Sequence, residues 1–345
     1  MTNTTKLCPK PVKEWANNIE NGTHLPVMVQ EILGFLESTP ALGLASPSVV
    51  VDGTLGLGGH AYAILSTFPN IDVLLGTDVD SEALSRAKDR LSVFNDRVRL
   101  LKASYTQIPE MLEAEDLPKA CFILLDLGLS SYQLEASGRG FSFGRDDPLD
   151  MRMDLSLSVT ASDMVNNLPE KQLADLIRSY GEERWAKKIA RLLVNVRKEQ
   201  EIISSKQLAD LVFRAIPRRY HPRRIHPATK TFQALRIAVN QELDRVKEAL
   251  DRLPDCLEDG GRFAIISFHS LEDRLVKHSF RNDTRLKVLT KKPIRATEVE
   301  IRDNRRSRSA KLRVAEKIGV KPDDPNAHRR GQDYGNKNSN YKNFW

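Results

Sequence analysis

The segment Val49-Val50-Val51-Asp52-Gly53-Thr54-Leu55-Gly56-Leu57-Gly58-Gly59-His60 decides the reading of this chain. A β-branched run stops at an acid, passes through four glycines in seven residues, and opens into Ala61-Tyr62-Ala63-Ile64-Leu65. That pattern predicts a strand, a tight turn and a helix N-terminus. Glycines let a backbone approach a ligand closely, and the free amides at a helix start favour an anionic group. A nucleotide-like ligand is therefore expected here. The spacing Gly56-x-Gly58-x-x-Ala61 also fits a loose dinucleotide fingerprint, so a nicotinamide cofactor is one candidate.

Two acids favour S-adenosylmethionine instead. Asp52 ends the first strand, where methyltransferases place an acid facing the amino-acid moiety of the cofactor. The next strand, Ile71-Asp72-Val73-Leu74-Leu75-Gly76-Thr77, ends in Asp78. An acid there accepts hydrogen bonds from both ribose hydroxyls, a device that nicotinamide sites share. The plainer alternative is a Gly-rich turn flanked by solvated acids.

Working outward, strands are expected at 48–52, 72–78, 98–102 and 120–126, with helices such as 81–91 between them. This alternation predicts a parallel sheet covered by helices, with ligands bound beyond the carboxyl ends of its strands. Asp52, Asp78, Tyr105 and Asp126 all fall at or just past those ends. From 162 to 216 the pattern turns helical, with Trp185, Ile189, Leu192, Leu193 and Val196 at helical spacing in 183–198. Ser204 and Ser205 precede a helix over 206–216. A longer helix follows Thr229, with Phe232, Leu235, Val239, Leu243, Val246, Leu250 and Leu253 along one face. Strands resume at 262–268 and 310–314. The expected fold is α/β, a Rossmann-like class I methyltransferase sheet with an inserted all-α helical domain. Residues 24–134 and 241–320 form the sheet domain and 135–240 the insert, with an N-terminal extension over 1–23 and a poorly ordered tail over 321–345.

The 345 residues carry a formal net charge of +7 and 40% hydrophobic residues, as in a soluble globular protein with a polyanionic partner. Basic residues crowd 184–230 and again 302–313. Charge runs are usually solvated helix faces, but two clusters beside one crevice favour phosphate contact. Cys8, Cys121 and Cys256 include no CxxC pair, which argues for a reducing compartment and against a zinc site. Residues 1–21 lack an apolar signal core, and no apolar run has membrane length, so a cytoplasmic location and no membrane partner are expected.

Further motifs follow the fourth strand. Asp126-Leu127-Gly128-Leu129-Ser130-Ser131-Tyr132-Gln133 occupies the loop that, in methyltransferases acting on exocyclic amines, holds the target nitrogen. Such an amine shares its lone pair with the ring, so attack needs an acceptor for the amino hydrogens and a fixed approach. The Asp/Asn-Pro-Pro-aromatic run of DNA amino-methyltransferases is missing. Asp126 as a turn-capping acid is the structural alternative. Phe141–Asp154, His226-Pro227-Ala228-Thr229 and Ser267-Phe268-His269-Ser270-Leu271-Glu272-Asp273-Arg274 are equally distinctive. Ser270-x-x-Asp273 reads as a capping pair, and His269 lands at a strand end beside the crevice.

Together with His24-x-Pro26-Val27, Tyr180-Gly181-Glu182-Glu183-Arg184 and Arg308-Ser309-Ala310-Lys311-Leu312-Arg313, these segments resemble the ribosomal RNA small-subunit methyltransferase H family, also called MraW. The resemblance runs from about His24 to Glu316. It implies S-adenosylmethionine contacts at Gly58, Gly59, His60, Asp78, Tyr105, Asp126 and Gln133, with Tyr105 packed on the adenine where Phe is frequent. It also implies methyl transfer to N4 of a cytidine in small-subunit (16S) rRNA, by direct displacement without a metal, within the 30S subunit. Asp126 is the expected catalytic residue, positioning the amine. Arg218, Arg219, Arg223, Arg224, His226, His269 and Arg308 are expected to face RNA. Tyr132 departs from a common Pro, and Asn304-Arg305-Arg306 from a frequent Asn-Pro-Arg. The alternatives are a nicotinamide-dependent oxidoreductase, which leaves the basic insert unexplained, and an RNA-binding assembly factor without turnover.

Overall fold

The computed structural model describes residues 26–222 and 225–319. Among these, strands β1 (Val49–Asp52), β2 (Val73–Asp78), β3 (Val98–Lys102), β4 (Ala120–Asp126), β5 (Leu257–Ser267), β6 (Leu286–Val288) and β7 (Lys311–Lys317) form one sheet in the order β3-β2-β1-β4-β5-β7-β6. The first five are parallel, and β7 runs antiparallel to both β5 and β6. All four residues of β1 are buried, as are all but the last of β4. Strands covered on both faces lose the polar-apolar alternation, which is why both read as continuous apolar runs. Chain order reverses between β1 and β4, creating the crevice where ligands of open α/β sheets bind. Register sets the strand ends side by side: Asp52 pairs with Gly76 and Leu124, Asp78 with Lys102, and Asp126 with Ile266.

The helices are α1 (Val29–Glu37), α2 (Gly59–Thr67), α3 (Ser81–Leu91), α4 (Ile108–Ala114), α5 (Ser131–Glu135), α6 (Ala161–Asn167), α7 (Glu170–Gly181), α8 (Ala186–Val196), α9 (Ser205–Ala215), α10 (Thr229–Asn240), α11 (Glu242–Arg252), α12 (Ser270–Asn282) and α13 (Glu298–Asp303). On one face of the sheet Val50, Leu74, Phe122, Leu124 and Ile266 pack with Ile32, Leu36, Ile64 and Leu65 of α1 and α2. On the other, Val51, Leu75, Ile123, Phe263 and Ile265 meet Val246 and Leu250 of α11 and Phe280 of α12. A third core lies apart from the sheet: Leu173, Ile177, Ile189, Leu193, Leu208, Val212, Phe232 and Leu235 bring α7 to α10 together. None of these helices is long and apolar enough to cross a membrane.

Three expectations need correction. The helix after Thr229 is two helices, broken at Gln241, whose φ of 51° is left-handed. The apolar stripe stays in phase across the break, so periodicity could not reveal it. The break lets the Arg236 guanidinium clasp Glu242 with two 2.8 Å hydrogen bonds. The cap of α12 is His269, not Ser270: its Nδ1 accepts from the Glu272 amide at 3.4 Å, while Glu272 Oε2 accepts from the His269 amide at 3.3 Å. Finally, β5 begins at Leu257 rather than 262, and β6 had no sequence signal at three residues.

One buried ion ties the helical layer to the sheet. Arg139, 7% exposed at its side chain, donates to Asp80 Oδ2 at 2.7 Å and Glu82 Oε2 at 3.1 Å. Its other terminal nitrogen donates to the carbonyls of Arg152 and Met153 at 3.2 and 3.0 Å. Asp80 also caps α3 by accepting from the Glu82 amide. Removing one partner of such a pair strands the other charge away from water. Arg139→Ala should therefore lower unfolding free energy by about 3–5 kcal/mol, read by urea denaturation. A loss below about 1 kcal/mol, typical of exposed pairs, would make Arg139 a surface ion pair in effect.

Candidate active site

A cavity of about 510 Å³ opens at the carboxyl ends of β1, β2 and β4. The Gly loop forms its floor. A Cβ on Gly53 would stand 2.5 Å from Leu125 Cδ2, so only glycine lets the loop lie this close to β4. Gly56 has a φ of 52° and lines the cavity. Gly58, at φ 75°, is the N-cap of α2 and does not line it: a Cβ there would point at Leu91 of α3, 3.2 Å away. Gly53 and Gly56 line the cavity beside it.

Gly59, His60, Asp78, Tyr105, Asp126 and Gln133 all line the cavity. Asp78 Oδ2 accepts from the Gly56 amide at 2.7 Å and Oδ1 from the Asp80 amide at 2.9 Å. Each oxygen keeps a lone pair for a second donor. Tyr105 opens a one-turn helix after β3, and burial pushes its phenol up, so it stays neutral. Gln133 differs from the expectation in how its side chain is used. Its Nε2 donates to Asp80 Oδ2 at 3.0 Å and its Oε1 accepts from the Ser130 amide at 3.1 Å, so it braces the loop. Tyr132, the departure from Pro, donates to Glu82 Oε2 at 2.8 Å and carries the Arg86 guanidinium 4.2 Å above its ring.

Asp52 and Asp126 hold the unsatisfied polar atoms. Asp52 Oδ1 accepts from the Thr54 amide at 3.2 Å, whereas its Oδ2 and Asp126 Oδ1 are buried without a partner. Asp126 Oδ2 lies 3.7 Å from His60 Nδ1. Because His60 Nε2 lies 2.8 Å from the Val27 carbonyl, that nitrogen carries the hydrogen and Nδ1 faces Asp126 as a lone pair. Burial raises the Asp52 carboxyl to about 7 against the Thr54 amide, with Asp78 adding to the rise. Burial likewise raises Asp78 to about 6 and lowers His60 to about 4. Asp126 is pushed well above the carboxylate range by burial, then by Asp52 and Glu272. Asp78 and Asp126 line the cavity and Asp52 is buried beside them; three acids gathered at these strand ends, two with an orphaned oxygen, favour a cationic ligand.

The opposite wall comes from the helical layer and the C-terminal end of the sheet: Thr229, Arg236, Asn240, Glu242 and Arg245 on one side, Asn304, Arg306 and Ser309 on another. Sequence reasoning missed these residues, because only tertiary packing brings them to the Gly loop. Glu242, His269 and Glu272 place their ligand atoms within 4.8 Å of one another. Arg236 already pairs with Glu242, and the His269 imidazole, with Arg236 behind it, holds the Glu272 carboxyl low despite burial.

The residues expected to face RNA are scattered. His269 is 8% exposed at its side chain, with Nε2 3.0 Å from Glu272 Oε1, and it does not line the cavity. In this structure its ring caps α12. His226 stacks on Phe143 with centroids 4.5 Å apart and accepts from the Ala228 amide at 3.2 Å, away from the cavity. Arg308 is exposed in a 3₁₀ turn and also outside the cavity lining. Lys311 and Arg313, counted in the second basic cluster, are spent on Asp273 at 3.2 and 2.7 Å. Arg218 and Arg219 are exposed in a 3₁₀ turn. Arg223, Arg224 and His24 lie outside the described residues, as do the terminal extensions up to 25 and from 320.

Two outcomes follow from this geometry. Asp78→Ala should weaken binding of S-adenosylmethionine by about 1.5–3 kcal/mol, the range for hydrogen bonds to a charged group; unchanged calorimetric affinity in a folded variant would remove Asp78 from the site. A raised acid is ionised only above its pKa, so cation affinity is present at higher pH and lost on acidification. Between about pH 8 and about pH 5.5, passing Asp52 and then Asp78, S-adenosylmethionine should lose more affinity than S-adenosylhomocysteine, which lacks the sulfonium charge. Parallel losses for both would show that the acids do not sense that charge.

Residues 21–318 match the family described as MraW methylase. "Ribosomal RNA small subunit methyltransferase H" of Pelobacter propionicus is 46% identical over 314 residues, 86% of this chain and 98% of that protein. The protein of the same name from Thermosipho africanus is 48% identical over 296 residues, 86% of this chain and 98% of that one. Among solved structures, an rRNA methylase from Streptococcus thermophilus is similar at a TM-score of 0.41 and 12% identity, covering 86% of this chain and 100% of that one. On its match across residues 21–318 and on relatives this similar along nearly their whole length, the chain belongs to the MraW methylase family.

Proposed function

We propose that this protein transfers a methyl group from S-adenosyl-L-methionine to the exocyclic N4 of a cytidine in small-subunit ribosomal RNA. The observation that carries this reading is the orphaned, buried Asp126 Oδ1 at the end of β4, facing a cavity built between the Gly loop and the helical layer. The names of the relatives support the RNA class, and the basic surface of the helical layer supports a polyanionic partner, the 30S subunit being the setting the family name suggests.

Asp78 would hold the ribose hydroxyls, Tyr105 the adenine, and Asp52 the cationic end. S-adenosylmethionine supplies an electrophilic methyl group on sulfonium. Asp126 accepts a hydrogen bond from the N4 amino group and fixes its approach, which is where an amine with a delocalised lone pair needs help. As the N4–carbon bond forms and the sulfur–carbon bond breaks, N4 gives up one proton. Asp126 ends beside the lone pair of His60 Nδ1, and its raised pKa suits it to take that proton before releasing it to water. A base inside a duplex cannot reach a recessed carboxylate, so the target is unpaired or splayed out.

The test is transfer of labelled methyl from S-adenosylmethionine to small subunits lacking the modification, followed by nucleoside analysis. N4-methylcytidine is the expected product, and label on another nucleoside would refute the N4 assignment. Asp126→Ala should slow transfer by about 10- to 100-fold, the rate equivalent of one hydrogen bond to a charged group. Asp126→Asn, which keeps an acceptor, should retain more activity. Near-wild-type rates in both would leave Asp126 as a turn-capping acid.

A further inference from the structure

The helical layer carries three cations gathered on two neighbouring aromatic rings. Trp185, just before α8, and Tyr220, in the 3₁₀ turn after α9, hold their rings 5.1 Å apart at 43°. The Arg184 guanidinium lies 4.4 Å from the Tyr220 ring and 5.3 Å from that of Trp185. Arg219 lies 4.8 Å from the Tyr220 ring, and Lys188 Nζ 6.0 Å from Trp185. Arg184, Lys188, Arg219 and Tyr220 are exposed and Trp185 is half-buried. The Trp185 indole nitrogen is buried without a hydrogen-bond partner, so the ring is placed by packing and by its cations.

Six other arginines, Arg139, Arg152, Arg236, Arg262, Arg285 and Arg313, each meet a carboxylate. Among the described residues Arg184, Lys188 and Arg219 meet none. Three like charges on two rings repel one another, and cation–π attraction at exposed sites returns only about 0.5–1 kcal/mol each. What the rings add is order. A guanidinium lying on a ring has given up much of its rotamer freedom while its N–H edges stay open, the state in which a phosphate is bound at least entropic cost.

We propose that this aromatic–cation rack is a docking site for an unpaired stretch of the substrate RNA flanking the target nucleotide, with phosphates on Arg184, Arg219 and Lys188 and a base stacked against the rings. The assignment rests on the RNA reading above and adds residues and a strand state to it. Alternating rings and cations match a single strand, whose backbone is anionic and whose bases expose faces for stacking. An acidic peptide would use the charges and leave the rings idle. The location fits as well. Glu182, two residues before Arg184, bonds to Ser270 and Arg274 of α12, and its carbonyl accepts from Lys230 at 2.9 Å. Lys230 neighbours Thr229, which lines the cavity. The rack therefore stands at the seam between the helical layer and the cavity wall.

The experiment is fluorescence anisotropy with the full chain and an unstructured oligouridylate of about 12 nucleotides, across a salt series. An Arg184→Ala/Lys188→Ala/Arg219→Ala variant should bind more weakly, with the log–log salt slope reduced by about 2, near 0.7 for each of three lost contacts. Tyr220→Leu keeps every charge, so its slope should match wild type while its affinity falls about 5- to 150-fold. S-adenosylmethionine affinity, measured in parallel, should be unchanged in both and reports that they are folded. A triple variant with wild-type affinity and slope overturns the proposal, as does polyglutamate displacing the oligouridylate as readily as the same RNA does. Failure here with methyl transfer to subunits intact rejects the rack alone. Normal rack behaviour without transfer rejects the N4 reaction instead.

Discussion

A carboxylate drawn out of water must find donors or keep its proton, and the crevice of this protein is organised by how four of them answer that demand. Asp80 is fully answered: the Gln133 side-chain amide and the Arg139 guanidinium donate to one oxygen, the Glu82 backbone amide to the other. It is structural, and α3, α5 and the loop at Arg152–Met153 are all anchored through it. Asp78 is half answered by two backbone amides. Asp52 and Asp126 each retain an oxygen with nothing to accept from. The gradient from satisfied to unsatisfied runs from scaffold to ligand space, since an unmade bond in a buried group is costly and a ligand that supplies it is rewarded accordingly.

That arrangement follows from topology. Parallel strands of similar length, meeting at a point where the chain reverses its order, bring their terminal residues into one row. The sequence placed an acid last in β1, β2 and β4, so the sheet gathers them without any further device. Burial then lifts their pKa values, with neighbouring carboxylates adding to the rise, and the lifted values make the site responsive to a positive charge. Arg139 connects this row to the helical layer, because the same guanidinium that steadies Asp80 also grips the carbonyls of Arg152 and Met153, and Met153 lines the cavity. Acid row and opposite wall are thus braced by one buried cation.

The amino-acid sequence disclosed the half of the site that local pattern controls. Strand ends, the Gly loop and the position of Tyr105 just past its strand are short-range features, and these residues were identified without tertiary knowledge. What escaped notice depends on long-range contact or on subtle phase. Arg236 and Glu242 are six apart, a spacing that does not meet on one continuous helix; they pair because the chain breaks at Gln241, where polar residues left the apolar stripe unbroken. Gly58 matched a fingerprint position and also caps α2 with a left-handed φ, packed so closely that a Cβ there would meet Leu91 of α3. His269 and His226 were read as facing RNA, but a histidine just ahead of a helix has a nearby use that sequence cannot weigh: accepting a backbone amide.

Charge carried the weakest information in the sequence and gains the most from the fold. In one dimension Lys311, Arg313 and Arg308 look alike, as do Arg197, Arg184 and Arg219. In three, Arg313 is clamped on Asp273, Arg197 on the Val165 carbonyl, and Arg184 and Arg219 lie against the Tyr220 ring. A basic count measures long-range attraction for a polyanion, which falls off over roughly 8–10 Å in physiological salt. Contact at shorter range depends on which cations are uncommitted and which are held in a usable orientation. By that measure the two basic clusters are not equivalent: the C-terminal one is partly consumed in holding β7 to α12, whereas the one on the helical layer keeps oriented, uncompensated charge at the seam leading to the acid row.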